Sequence, residues 1–195
     1  MKDYIKNQIK TSYEIKQIIY TDDTLVEKIG EVSKVIVECY KKGGKVLLAG
    51  NGGSAGDAQH IAGELVNKFY FDRPGLPAIA LSTDSSILTA IGNDYSFDRV
   101  FSKQVEANGK EGDVFMGIST SGNSKNIVEA MKLCREKGIL TVGLTGSKVG
   151  AMDEFCDHII KVPSSETPRI QESHVLIYHI ICAIIEESIF GAGKF

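Results

Sequence analysis

The sequence of 195 residues lacks the patterns that mark secreted, membrane-spanning and nucleic-acid-binding proteins. Its first residues contain no apolar signal-peptide core, and no run of basic residues stands out in a chain of formal net charge -3. The longest apolar stretch, around 175–185, is interrupted by His174, Tyr178 and His179, and we expect it to be too short to cross a bilayer. We therefore expect a cytoplasmic protein with no membrane and no nucleic-acid partner.

Cysteine pairing, repeats and linkers are missing as well. No Cys-x-x-Cys pair occurs, and the four cysteines stand apart in apolar surroundings: Cys39, Cys134, Cys156 and Cys182. This arrangement is typical of buried free thiols in a reducing compartment. Without a linker or a shift in composition, we expect one domain over 1–195. Residues 1–42 would form N-terminal helices that lie in subunit contacts, and 43–195 would form the core.

Short continuous apolar runs predict five buried parallel strands, at 46–49, 78–81, 114–118, 140–144 and 158–162. Helical patterns lie between most of them, at about 54–69, 97–108, 124–137, near 149–155, and at 167–190. Two more helices occupy the first forty residues, and Thr21-Asp22-Asp23 offers an N-cap for the second. The alternation predicts an α/β protein, with an open parallel five-stranded sheet in three layers and two N-terminal helices.

Ligands of open parallel sheets bind beyond the carboxyl ends of the strands. The first strand is followed by a glycine-rich turn at 50–57, which would let a ligand approach the backbone and in which Ser54 could cap the next helix. The spacing is neither Gly-x-Gly-x-x-Gly nor a P-loop, so a dinucleotide or nucleoside triphosphate site is poorly supported. A binding loop and a plain strand-to-helix turn explain this segment equally well.

The turn after the third strand is the more informative one by composition. Its residues are Ser119-Thr120-Ser121-Gly122-Asn123-Ser124, and a helix follows. Four hydroxyls and free N–H groups at a helix N-terminus form an anion site without lysine, and a phosphomonoester fits it. The alternative is a capped turn, but a cap needs only one such residue, so the composition favours a phosphate site.

Candidate acid–base and metal-binding residues lie on two helices. His60 and Glu64 are four residues apart on one face and could share a metal or act as base and orienter, although such pairs are more often surface ion pairs. On the last helix we expect His179 to be buried among apolar neighbours. Gln171 precedes it by eight residues, about 12 Å of helix rise. Both could reach one ion only if the helix began after Gln171, or if they served different copies of the site across a subunit contact.

Four segments together resemble the phosphoheptose isomerase family: Gly50-Asn51-Gly52-Gly53-Ser54, Ile91-Gly92-Asn93-Asp94, the run at 117–124, and Arg169-Ile170-Gln171-Glu172. The resemblance implies a sugar isomerase (SIS) fold and a homotetramer with sites at subunit contacts. It implies conversion of sedoheptulose 7-phosphate to D-glycero-D-manno-heptose 7-phosphate through an enediol, the first step toward activated heptose for lipopolysaccharide or capsule.

The resemblance also implies residue roles. One zinc ion per subunit would be held by His60, Glu64, Gln171 and His179, and Glu64 and His179 would be the acid–base pair. The substrate contacts would be Asn51, Gly52, Gly53, Glu64, Asn93, Asp94, Ser119, Thr120, Ser121, Ser124 and Gln171, with Ser54 close by. Some members carry an aspartate where this chain has Pro168, so the role of that carboxylate is lost or has moved to Glu166.

Two alternatives share the fold. One is a non-catalytic SIS adaptor that binds a replication initiator, but such proteins lack the full metal and acid–base set that is present here. The other is an isomerase of a different sugar phosphate, or a sugar-phosphate sensor. Sensors are usually fused to a DNA-binding segment, and the leading helices here have no basic face.

Overall fold

The computed structural model describes residues 1–191, and within them a parallel five-stranded sheet lies between two layers of helices. The strands are β1 Val46–Gly50, β2 Ala78–Ala80, β3 Val114–Ile118, β4 Leu140–Thr145 and β5 His158–Lys161. Their order is β2-β1-β3-β4-β5, and every neighbouring pair is parallel. The α/β class and the three layers are confirmed. Residues 192–195, which the sequence assigned to the same domain, lie outside the described residues.

The helices match most of the predicted ones. They are α1 Lys2–Thr21, α2 Asp23–Lys41, α3 Gly53–Val66, α4 Ser85–Asp94, α5 Ser102–Asn108, α6 Lys125–Glu136 and α7 Thr167–Phe190. Asp22 caps α2 as expected, since its Oδ1 accepts from the Leu25 N–H at 3.0 Å. The helix predicted at 97–108 is instead a 3₁₀ turn, Phe97–Arg99, followed by α5, and a second 3₁₀ turn covers Ala151–Glu154.

Strands β1 and β3 are apolar throughout and fully buried because helices cover both of their faces. Side chains alternate in direction along a strand, so Val46 and Leu48 of β1 pack with α2, α3 and α7, whereas Leu47 and Ala49 pack with α5 and α6. All four side chains are fully buried. Such burial stabilises the folded chain by about 1.5–3 kcal/mol for each large aliphatic side chain.

The strand order places a topological switch point at β1. The chain leaves β1 for β2 on one side and then returns to β3 on the other side, so the connections from β1 and β3 diverge. The crevice that opens between such diverging connections is where doubly wound sheets bind ligands. Both turns singled out in the sequence follow these two strands.

The two N-terminal helices differ in how much of their apolar surface is covered. Helix α2 buries seven residues, whereas α1 buries only Ile19. Large apolar side chains of α1 are exposed, among them Ile5, Ile9 and Tyr13. The core therefore covers the apolar face of α2 and leaves that of α1 uncovered.

The last helix is longer than its apolar core indicated. With 24 residues, α7 is long and apolar enough by length and composition to span a bilayer, so the expectation that the segment is too short is wrong. In this fold α7 is a core helix, because Ile177, Ile181 and Ile185 are buried in the layer that faces the sheet. Its buried Glu186 forms an ion pair with Arg73, which fits a helix packed within protein.

One buried histidine on α7 makes the fold sensitive to acid. The His174 side chain is fully buried, its Nε2 lies 3.3 Å from the Thr145 carbonyl oxygen, and its Nδ1 has no hydrogen-bond partner among residues 1–191. Burial lowers the pKa of His174 to about 4, although the contact with the Thr145 carbonyl opposes the shift.

We expect His174 to reduce stability as the pH falls. The unfolded chain takes up a proton near pH 6.5, and the folded chain takes it up only near pH 4, so the free energy of unfolding drops across that window by up to about 3 kcal/mol. Urea unfolding measures the free energy of unfolding at pH 7.5 and at pH 4.5. Between these two pH values, that free energy should fall less for His174→Gln than for the wild type. His158→Gln, on a strand at the sheet edge, serves as control. Equal losses in wild type and His174→Gln would contradict the prediction.

Candidate active site

The turn after β1 brings α7 against the start of α3. Gly52, at φ +55°, is the N-cap of α3, a conformation that favours glycine. The side-chain amide of Gln171 lies directly against Gly53, so a Cβ at that position would make the flexible Gln171 side chain shift. The predicted cap at Ser54 is wrong, because Ser54 lies buried in the first turn of α3 and no side chain caps this helix.

The turn after β3 gathers three serine hydroxyls. Ser119 Oγ lies 2.8 Å from Ser124 Oγ and 3.4 Å from Ser121 Oγ. Ser124 is the N-cap of α6, yet its side chain makes no capping hydrogen bond. The first N–H groups of α6 therefore have no cap, and together with the hydroxyls they can donate to an anion. This favours the phosphate site over the capped turn.

A reciprocal amide pair joins the two turns. Asn51 Nδ2 donates to Asn126 Oδ1 and Asn126 Nδ2 donates to Asn51 Oδ1, both at 2.9 Å. Asn126 is buried in the first turn of α6. The pair holds the turn after β1 against the turn after β3, and it engages the side chain of Asn51, a residue that the family resemblance implies as a substrate contact. Asn51 can therefore offer substrate its backbone more readily than its side chain.

An imidazole–carboxylate cluster lies where α3 and α7 run side by side. His60 Nε2 is 3.0 Å from Glu64 Oε1 and 3.4 Å from His179 Nε2. One ligand atom from each of the three residues lies within 4.8 Å of the others. The His60 and Glu64 side chains are 44% and 24% exposed, so the cluster opens at the surface of the chain.

Tyr178 and Asp57 support the cluster from inside. The Tyr178 hydroxyl lies 2.9 Å from His60 Nδ1, which leaves Nε2 of the same ring facing the cluster. Burial raises the pKa of Asp57, while His60 and the Tyr178 hydroxyl oppose that shift. Burial, together with Asp57, also raises the pKa of Tyr178. Burial and the neighbouring His60 lower the pKa of His179, which favours its neutral form.

Comparisons with known proteins decide the family. The SIS domain family model matches residues 13–146. The phosphoheptose isomerase of Aneurinibacillus thermoaerophilus is 62% identical over 190 residues, which cover 97% of this chain and 96% of that protein. The chain belongs to the phosphoheptose isomerase family. Phosphoheptose isomerase 2 of Campylobacter jejuni is 58% identical over 99% of this chain and 96% of its own length.

Solved structures of phosphoheptose isomerases share the whole fold. The enzyme of Neisseria gonorrhoeae superposes with a TM-score of 0.89 at 42% identity, covering 95% of this chain and 98% of that one. The enzyme of Francisella tularensis gives a TM-score of 0.91 at 39% identity, over 95% and 97% of the two chains. The family resemblance found in the sequence is thereby confirmed.

The donor set of the cluster fits a divalent metal ion. Two imidazoles and one carboxylate are a common catalytic zinc set, and bonds of about 2.0–2.1 Å in a tetrahedron place donor atoms about 3.3 Å apart. The separations of 3.0 Å and 3.4 Å around His60 Nε2 match that spacing. The Tyr178 contact at Nδ1 orients the His60 ring as the outer partners of metal-bound histidines do.

Two expectations about α7 need correction. His179 is only partly buried rather than a core residue, because its ring lies at the open cluster beside His60 and Phe69. Helix α7 is regular from Thr167, so it does not begin after Gln171. Gln171 packs against Gly53, about 12 Å along the helix from His179. A regular α7 therefore does not support a shared ion for these two residues within one chain.

The structure does not bring the remaining predicted residues to the cluster. Asn93 and Asp94 are exposed at the end of α4, where Asn93 Nδ2 donates to Asp94 Oδ1 at 2.9 Å. Among the hydrogen bonds of residues 1–191, neither side chain reaches the two turns. Pro168 lies in the first turn of α7, and Glu166 before it is exposed, with no capping hydrogen bond.

A hydroxyl-lined cleft of about 310 Å³ extends from the turn after β3 to the start of α7. Its lining includes Thr120 and Ser121 of that turn and Ser164, Ser165 and Thr167 near the start of α7, together with Lys148. A larger cavity of about 680 Å³ beside α6 is lined by charged side chains and contains no member of the cluster. We take the smaller cleft as the continuation of the phosphate site because it shares Thr120 and Ser121.

Sequence reasoning missed Asn126, Tyr178 and Asp57. Asp57 precedes His60 by one turn, and Tyr178 adjoins His179, so both were close to residues already singled out. Asn126 follows the serine-rich turn but pairs with a residue 75 positions earlier in the chain. No local pattern indicates such a pair.

Proposed function

We propose that this chain interconverts sedoheptulose 7-phosphate and D-glycero-D-manno-heptose 7-phosphate. The observation that carries the proposal is the cluster of His60, Glu64 and His179 in a chain 62% identical to a phosphoheptose isomerase. The hydroxyl-lined turn after β3 provides a binding site for the phosphate group of the substrate. An aldose–ketose isomerase needs both a phosphate anchor and an acid–base pair.

The phosphate of the open-chain sugar binds at Ser119, Thr120, Ser121 and Ser124. Hydroxyls and the N–H groups of the first turn of α6 donate to its oxygens, and the dipole of the helix favours its charge. No lysine is needed for this grip. Holding the far end fixes the carbonyl end of the sugar relative to the protein and reduces the entropy lost during reaction.

Proton transfer belongs to Glu64 and His179. Glu64 removes a proton from C1 of the ketose and returns it to C2, with a cis-enediol between the two steps. Over the same reaction O1 loses its hydroxyl proton and O2 gains one, and His179 carries that exchange. The pKa of His179 is lowered, so its neutral ring can accept a proton before it donates one whenever its Nε2 is not bound to a metal.

A zinc ion, one per subunit, fits the donor set of His60, Glu64 and His179. When bound, zinc polarises the oxygen atoms of the substrate as a Lewis acid. Gln171 lies apart from this set within one chain and is proposed as a substrate contact beside Gly53, and as a ligand only across a subunit contact. Asn93 and Asp94 are likewise proposed as substrate contacts that complete the site.

We further propose that the protein is a cytoplasmic homotetramer, with residues 1–195 as a single SIS domain. The uncovered apolar face of α1 supports subunit contacts through the N-terminal helices. The surface opening of the cluster supports sites that are completed by a neighbouring copy. The product would feed activated heptose synthesis for lipopolysaccharide or capsule.

Purified protein tests the proposal directly. With sedoheptulose 7-phosphate as substrate, formation of the aldose should be followed by a coupled assay, with other ketose phosphates in parallel. We expect turnover of the heptulose in preference to hexulose and pentulose phosphates. Absence of turnover on every sugar phosphate, together with capture of a purified replication initiator, would replace the proposal with the adaptor alternative.

Loss of one hydroxyl from the phosphate site should weaken substrate binding. Ser121→Ala should raise KM about tenfold with kcat changed less than threefold, because a hydrogen bond to a charged group is worth about 1.5–3 kcal/mol. Steady-state kinetics measure both constants. Ser188→Ala, at an exposed position of α7, is the control. An unchanged KM for Ser121→Ala would argue for a structural turn.

A further inference from the structure

A buried ion pair connects α3 to α7 beyond the cluster. The Arg73 and Glu186 side chains are only 2% and 1% exposed, and Arg73 Nε donates to Glu186 Oε1 at 3.0 Å. The other guanidinium nitrogens of Arg73 donate to the end of α3, with Nη2 on the Glu64 carbonyl at 2.8 Å and Nη1 on the Leu65 carbonyl at 2.6 Å. Arg73 therefore holds the backbone of Glu64 itself.

The carboxylate of Glu186 also holds the segment that follows α3. It accepts from the N–H of Phe69 at 2.8 Å and from that of Tyr70 at 2.6 Å. The Phe69 ring in turn lies 5.5 Å from the His179 ring, centroid to centroid. Glu186 lies on α7 about two turns beyond His179, so the pair fixes one helix to the other close to the cluster.

We propose that Arg73 and Glu186 are positioning residues that set the spacing of Glu64 on α3 and His179 on α7. The inference deepens the proposed function and rests on it. The hydrogen bonds of the two side chains reach no side chain of the cluster, so their action passes through the Glu64 carbonyl and the Phe69 ring. A guanidinium with three donor sites in one plane suits this role, and lysine does not replace it, because a single ammonium cannot reach the carboxylate and two carbonyls in the same geometry.

Two variants test the pair, with two measurements for each. In Glu186→Gln and Arg73→Lys we expect kcat to fall and the Kd for Co²⁺ alone, measured by its absorption spectrum, to rise, each by about 10- to 100-fold. KM should stay within about threefold of wild type, because the phosphate site lies on other elements. Arg73→Lys keeps the charge and is the milder change should Glu186→Gln fold poorly.

A matched control separates positioning from stability. Asp113 is fully buried and forms an ion pair with Lys45 at 2.6 Å, and it precedes β3 at the amino edge of the sheet, away from the cluster. Asp113→Asn should lower Tm comparably but leave kcat and Co²⁺ affinity unchanged. If Glu186→Gln and Arg73→Lys lower Tm while kcat and Co²⁺ affinity stay within twofold of wild type, the pair is only structural. Absent isomerase activity in the wild type would sink the proposed function, whereas the Co²⁺ titration would still decide the positioning role.

Discussion

Glu64→Gln should lower kcat by about a thousandfold while KM changes less than threefold. A positioned general base contributes about 10²- to 10⁴-fold, and an amide of the same size cannot accept the C1 proton. Substrate binding should persist because the serine hydroxyls and the N-terminus of α6 hold the phosphate independently of α3. Steady-state kinetics with sedoheptulose 7-phosphate supply kcat and KM.

Exchange of the C1 hydrogen of the substrate with solvent tests whether Glu64 acts as a base or only as a metal ligand. In deuterated solvent, the wild type should wash deuterium into C1 of the ketose, and Glu64→Gln should not, even with saturating zinc. Glu38→Gln, which removes an exposed pair with Lys41, is the control and should exchange normally. Normal exchange in Glu64→Gln would take the carboxylate out of proton transfer and leave it at most a metal ligand.

The sheet could be predicted because its strands are buried on both faces. Continuous apolar runs such as 114–118 and 140–144 leave little choice of structure, and the observed strands follow them closely. Helix α4 was missed for the opposite reason. It has no fully buried residue, and only Leu88 and Ile91 pack against the core, so its apolar pattern is short and the cap that Asp84 supplies to the Ile87 N–H was its clearest local signal.

The site could be predicted in its parts but not in its assembly. The serine-rich turn and the His60–Glu64 spacing are local patterns, and local patterns are visible in one sequence. Arg73 and Glu186 are 113 positions apart, and only packing of α3 against α7 joins them. The burial of His179 was overestimated because Ile181 and Cys182 of α7 lie in the core while the ring of His179 lies beside that of His60.

Because α7 is a regular helix, it keeps Gln171 and His179 apart within one chain. Gln171 and His179 lie on the same helix but serve different places, one beside Gly53 and one beside His60. Helices α3 and α7 thus meet twice, and the two contacts are about two turns apart on each helix. We therefore expect a site that needs both residues at one ion to draw on a second copy of the chain.

Removal of the metal should abolish almost all isomerase activity. We expect the wild type to bind one Co²⁺ or zinc ion per chain, and chelation to lower kcat at least a hundredfold, with recovery when zinc is restored. His60→Ala should lose both metal binding and activity, because His60 Nε2 is the atom that faces both Glu64 and His179. His158 lies on β5 with its Nδ1 4.0 Å from Glu31 Oε2, so His158→Ala should retain metal binding and activity and controls for histidine loss in general. Full activity in the chelated wild type would contradict a catalytic metal, and the contacts at 3.0 Å and 3.4 Å would then describe an acid–base cluster that works without an ion.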